Sequence, residues 1–275
     1  MQAVAGRRSA LLIAGALAAS GFCSPAIARN VCTVVANAAT GAVLVREGDC
    51  ATRVTPASTF KVPLALIGSD AGFLRGADAP LLEIAPGEPD WGGPAWKRPV
   101  DPASWMRHSV VWYSQRIAKD VGARRLAGYA RSFGYGNADF SGDPGKDNGL
   151  ERAWISSSLK ISPDEQVAFL RRLVNRELPV DASAYALADA IVETTPAAGW
   201  TIAGKTGSAY PRRADGSFDR SRGWGWFVGW ARRDGATLVF ARLDQDERRH
   251  ERSGGLRAKE AFIAAWPATI AGGAR

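Results

Sequence analysis

The sequence is poor in the side chains that most often carry metal and acid–base chemistry. It has two histidines, His108 and His250, and three cysteines in 275 residues. Two histidines leave a His-based zinc site short of its usual ligands, so no metal is expected. They also weaken a Ser-His-Asp reading, and the G-x-S-x-G elbow that presents such a serine is missing. No stretch is long and apolar enough to span a bilayer, since the longest apolar run, residues 10–21, is too short. Nor is there an internal repeat or a low-complexity linker, which leaves one catalytic-sized domain. Positive charge exceeds negative, 35 residues against 27, but falls as scattered pairs such as Arg124-Arg125, Arg171-Arg172 and Arg212-Arg213. Nucleic-acid binders gather such charge on one face, so no nucleic-acid partner is expected. A mild attraction for small anionic ligands fits better.

What is present begins with a leader. Arg7-Arg8, the apolar run, and Ala26-Ile27-Ala28 form the three parts of a secretory signal peptide over residues 1–28. The mature chain, 29–275, is then periplasmic or secreted, with no membrane partner after cleavage. Cleavage also removes Cys23 and leaves Cys32 and Cys50. An even pair in an exported chain predicts a disulfide, the alternative being two buried thiols. Strands over Val31–Ala36 and Ala42–Glu47, turning at Ala39-Thr40-Gly41, bring position 32 roughly opposite position 50.

Beyond this hairpin the pattern turns helical. Helices are expected over Thr59–Leu74, Ser104–Gly122, Ala123–Phe133 and Ala182–Glu193. Another should start at Ser162-Pro163-Asp164-Glu165, a capping box with proline in the first turn, and run to about Asn175. Residues 78–102 and Gly134–Glu151 read as loops. Strands return at Trp200–Ala203, Gly223–Arg232 and Thr237–Leu243, and a helix over Leu256–Trp266 closes the chain. Strands at both ends around a helical middle make an α/β (α+β) chain. Its sheet lobe covers about 29–57 and 194–275, and its inserted helical lobe about 58–193.

A serine without a histidine needs another base, and Ser58-Thr59-Phe60-Lys61 supplies one. Residues three apart share a helix face, which sets the Lys61 amine beside the Ser58 hydroxyl. A second S-x-x-K string, Ser157 to Lys160, stops two residues before the Ser162 helix start and lacks that helical context. Ser109-Val110-Val111, Tyr135-Gly136-Asn137 and Lys205-Thr206-Gly207 complete an ordered set. Singly, these are a helix core, a turn and a strand end, and Trp154 is a core aromatic.

Together the four motifs resemble the class D, or oxacillinase-type, β-lactamases among the penicillin-recognising serine enzymes. Trp154, the Gly225–Trp230 strand and Arg257 match the same pattern. The resemblance implies an antiparallel sheet flanked by helices and a small-molecule β-lactam partner. It implies carbon dioxide as the cofactor, held as a carbamate on Lys61 (N6-carboxylysine) in a pocket of Phe60, Val110, Val111 and Trp154. Ser58 would be acylated, and Ser109 would pass a proton to the leaving nitrogen. Val111, Lys205, Thr206, Gly207, Ser208 and Arg257 would bind substrate, with the N–H groups of Ser58 and Ser208 as oxyanion hole. A cell-wall transpeptidase or carboxypeptidase, and a β-lactam sensor that stays acylated, share these motifs and are the rival readings. Residues 209–222 are longer and more charged than a hairpin needs and should lie at the cleft mouth. No feature sets an oligomeric state.

Overall fold

A computed structural model describes residues 28–272, and residue 2 in isolation. The expected signal peptide, Gln2 and Ala28 aside, lies outside the described residues. The first elements are the expected hairpin, β1 (Arg29–Asn37) and β2 (Val43–Gly48). Asn37 shapes its turn, its Oδ1 accepting the Ala39 and Thr40 N–H groups, and Gly41 supplies the left-handed residue at φ 75°. Cys32 pairs in register with Gly48, and Cys50, two residues on, is disulfide-bonded to Cys32 with 5.1 Å between Cα atoms.

Four more strands follow late in the chain: β3 (Thr194–Ala197), β4 (Trp200–Ala209), β5 (Trp224–Arg233) and β6 (Ala236–Gln245). All pair antiparallel in the order β2-β1-β6-β5-β4-β3, so the two chain ends meet at β1 and β6. Side chains alternate between two cores. Trp226, Val228, Trp230, Val239 and Ala241 face the helical lobe. Phe227, Ala231, Leu238 and Phe240 face α8 (Gly254–Gly272), meeting Phe262 and Trp266. That helix outruns its expected end at Trp266 because Pro267 removes a ladder hydrogen bond without ending the helix.

The helical lobe holds α1 (Lys61–Asp70), α2 (Pro102–His108), α3 (Val111–Val121), α4 (Ala123–Phe133), α5 (Gly149–Arg152), α6 (Pro163–Val174) and α7 (Ala182–Ile191). The capping box forms as expected: Ser162 Oγ accepts the Glu165 N–H, and Glu165 Oε2 accepts the Ser162 N–H. Four expectations need correction. The helix expected from Thr59 starts as a 3-10 turn over Ala57–Phe60 and becomes α-helical only at Lys61, ending at Asp70. The helix expected over Ser104–Gly122 is two helices, broken by Ser109 in the left-handed region (φ 57°) and by extended Val110. β3 forms where no element was expected. β4 runs six residues past Ala203, because its motif end is sandwiched against neighbours and is not a solvated terminus.

Candidate active site

The Ser58 turn is held from every side. Ala57 before it is left-handed at φ 51°. Pro56 O accepts both the N–H and the hydroxyl of Thr59, at 3.2 and 2.7 Å. Gln166 on α6 donates to Thr59 Oγ1 at 2.9 Å and reaches the Tyr135 hydroxyl at 3.4 Å. The buried Phe60 ring packs among Tyr135, Phe140 and Trp154, stacking on Trp154 with 5.4 Å between centroids. In a 3-10 turn side chains three apart eclipse. Ser58, half-buried in the turn, and Lys61, which opens α1, are thus three residues apart on continuous helical backbone, a spacing that puts side chains on one face.

Lys61 is 1% exposed, and its Nζ has no hydrogen-bond partner among the described residues. Burial drives its pKa well below that of a free lysine, and the nearby Lys205 ammonium pushes the same way. A neutral amine with an unused lone pair is what carbon dioxide reacts with, so the site fits a carbamate. Trp154 is fixed independently by Thr55, whose Oγ1 donates to Trp154 O at 2.9 Å and accepts the Ser156 N–H at 3.0 Å. Thr55 O in turn accepts the Trp226 indole N–H from β5 at 2.9 Å.

β4 forms the opposite wall. A Cβ on Gly207 would lie 2.9 Å from Pro56 O and 3.0 Å from Thr59 Cγ2, so the strand touches the Ser58 turn. Lys205, two residues earlier, points to the same face and is buried. Its Nζ donates to Thr206 O at 3.0 Å, and burial lowers its pKa to about 8. Backbone N–H groups alternate sides along an antiparallel strand. The Gly204 N–H leaves β4 away from β5 to reach Glu193 O, so those of Thr206 and Ser208 leave on that side too. β3 pairs only with residues 200–203, so the Ser208 N–H points from an uncovered edge beside the Ser58 turn.

Of the remaining expected residues, Ser109 and Val111 lie where α2 meets α3, and Arg257 lies on α8. The left-handed turn at Ser109 sets it at the junction of α2 and α3, ahead of buried Val110 and Val111. Arg257 in the first turn of α8 is engaged: its Nη2 donates to Asp246 Oδ1 and its Nε to Arg252 O, and among the described residues its Nη1 has no partner. Ser157 and Lys160 share no helix, as expected. Asn137 clips that segment instead, its Oδ1 accepting the Lys160 N–H at 2.9 Å. Sequence reading missed Thr55, Gln166 and Asp246, whose roles depend on distant partners. It also missed Ser253-Gly254-Gly255, where Ser208 Oγ meets Ser253 Oγ at 2.7 Å and accepts the Gly255 N–H at 2.8 Å. Paired glycines at the start of a helix were a readable sign of such a close approach.

Residues 31–265 match the penicillin-binding protein transpeptidase domain family. β-Lactamase OXA-9 of Klebsiella pneumoniae is 41% identical over 259 residues, 94% of each chain. The crystal structure of the class D β-lactamase OXA-427 is 44% identical, with a TM-score of 0.81 over 87% of this chain and 98% of that one. The chain belongs to the class D β-lactamases. As a class D enzyme it is a serine β-lactamase, and the sheet-and-helix architecture is that of its family. The class D fold is also close to the C-terminal domain of the Bacillus licheniformis BlaR penicillin-receptor. That likeness has 26% identity and a TM-score of 0.73 over 86% of this chain and 89% of that one.

Proposed function

We propose that this class D β-lactamase hydrolyses β-lactams through an acyl-enzyme on Ser58, with N-carboxylated Lys61 as its base. The observation that carries the reading is the buried, unpartnered Lys61 Nζ one 3-10 turn from Ser58. The neutral amine bonds the carbon of carbon dioxide and releases one proton, and the carboxylate so gained is the base for both acylation and deacylation. The Trp154 indole N–H orients it, and Phe60, Val110 and Val111 keep water away. Ser58 Oγ gives up its proton and attacks the lactam carbonyl. The negative charge that develops on the carbonyl oxygen is met by the N–H groups of Ser58 and Ser208. As the C–N bond breaks, Ser109 delivers a proton to the nitrogen. Water then cleaves the ester and frees Ser58. Lys205, Thr206 and the open nitrogen of Arg257 hold the substrate carboxylate, with Val111 and Gly207 lining the site. Residues 29–275 act as one catalytic domain, exported by a signal peptide over residues 1–28 that is then cleaved.

The likeness to a penicillin receptor favours one second reading, acylation without turnover. Mixing enzyme with a penicillin and following intact mass separates the two. A transient adduct with accumulating product supports hydrolysis, and a lasting stoichiometric adduct supports the receptor. Degassed enzyme should lose activity, more so at acid pH, and regain it as bicarbonate is added. Lys61→Arg should not respond, because a guanidinium stays protonated. Full turnover in the degassed state would remove the carbamate from the mechanism.

A further inference from the structure

The segment between β4 and β5 is an arm with its own internal order. Arg212 and Phe218 form a bridge, the Arg213 N–H meets Ser217 O at 2.9 Å, and Arg213 pairs with Asp219 at 3.0 Å. From this arm Arg212 reaches across to the helical lobe. Its Nε donates to Ser156 O at 3.1 Å, and its Nη2 to both carboxylate oxygens of Asp143, at 3.0 and 3.1 Å. Its Nη1 holds Gly216 O at 2.8 Å, so all three nitrogens are engaged. The guanidinium also lies 4.6 Å over the Phe218 ring.

The segment that receives this hook carries Trp154. Ser156 is left-handed at φ 55°, a strained conformation that persists only when neighbours fix it. Thr55 fixes it from inside, through the Ser156 N–H and Trp154 O. Arg212 fixes it from outside, through Ser156 O. We propose that Arg212 is a positioning residue of the active site: its grip on Ser156 and Asp143 holds Trp154 in place and so sets how firmly Lys61 retains carbon dioxide. The inference rests on the carbamate reading above. Without the hook the turn regains conformational freedom, and the indole N–H meets its partner in fewer of the available states.

The test is a titration with carbon-13-labelled bicarbonate, followed by the NMR signal of the lysine carbamate carbon, with turnover and thermal melting in parallel. Arg212→Ala should raise the half-saturating bicarbonate about tenfold, the loss expected for one hydrogen bond to a charged group. Its turnover should return nearly to wild type at saturating bicarbonate, a recovery that a general structural defect would not give. Asp143→Asn should shift the titration the same way from the other partner, and Arg212→Lys should fall between. Arg220→Ala, exposed on the same arm, should leave the titration unmoved. A carbamate signal in wild type with an unmoved Arg212→Ala titration, or a turnover loss that bicarbonate does not repair, overturns this inference alone. Absence of the signal from wild type overturns the carbamate reading with it.

Discussion

Gly207→Ala probes the contact between β4 and the Ser58 turn. The added methyl carbon would sit 2.9 Å from Pro56 O, 3.0 Å from Thr59 Cγ2 and 3.2 Å from Thr59 N. None of these can yield easily, since Pro56 O is pinned by two hydrogen bonds from Thr59 and Thr59 is held by Gln166. The strand and the turn must therefore part by roughly half an ångström, at a cost of about 1–3 kcal/mol typical of overpacking. The larger effect falls on rate. Ser208, the next residue, is the oxyanion donor of the proposed mechanism, and such a donor works only within about 2.7–3.1 Å of the developing charge, its loss costing about 100- to 1,000-fold. Partial displacement should slow acylation by about 10- to 100-fold, less than complete loss of the donor. The assay is the single-turnover acylation rate with a chromogenic cephalosporin, beside a thermal melt. Gly128→Ala in α4 is the control: beyond its chain neighbours and the backbone of its own helix, no described atom lies within 4 Å of where its methyl carbon would sit, and losing a helix-interior glycine should stabilise by up to about 1 kcal/mol with activity unchanged. Acylation by Gly207→Ala within about threefold of wild type, well under 1 kcal/mol, would show that β4 does not set the oxyanion site.

Ser58→Ala should abolish turnover while Ser157→Ala keeps most of it; equal losses would dislodge the nucleophile assignment. Lys205, brought by burial to about 8, loses its charge as pH rises through that value, so kcat/KM should fall above about pH 8. Lys205→Arg should flatten that alkaline limb because a guanidinium stays charged, and an unchanged limb would mean another group controls it. Replacing Cys32 and Cys50 by serine should lower unfolding free energy by about 3 kcal/mol in denaturant melts, as expected for closing a loop of this size. Thiol labelling of the unreduced protein should find neither cysteine free.

The parts of the fold legible in sequence were those determined by near neighbours. The β1–β2 hairpin followed from two strand-like runs on either side of the Ala39-Thr40-Gly41 turn, and the start of α6 followed from a four-residue capping box. The break at Ser109 was hidden because apolar residues continue on both sides, Trp105 and Met106 before it and Val110 to Trp112 after it, as one helix would have them. β4 was cut short because Lys205 and Thr206 look like a solvated end, and only tertiary packing buries the lysine. The site was legible as residue types in order. Its supports were not, since Thr55 acts through Trp154 about a hundred residues on, and Asp246 grips Arg257 from another element.

The pairing of β1 with β6 governs the order in which the molecule can form. Arg29 opposes Gln245, so the middle of the sheet joins segments separated by nearly the whole chain. Such contacts close large loops and slow folding. A chain growing from its N-terminus holds the β1–β2 hairpin and every helix of the inserted lobe before β4, β5 and β6 exist to receive them. A lone hairpin is marginal in water, and α6, which packs on β6, β1 and β5, lacks most of the sheet that covers it. Assembly therefore waits for the last third of the chain. Until β4 is made, the Ser58 turn lacks the close approach of Gly207 to Pro56 and Thr59 that bounds it in the folded enzyme.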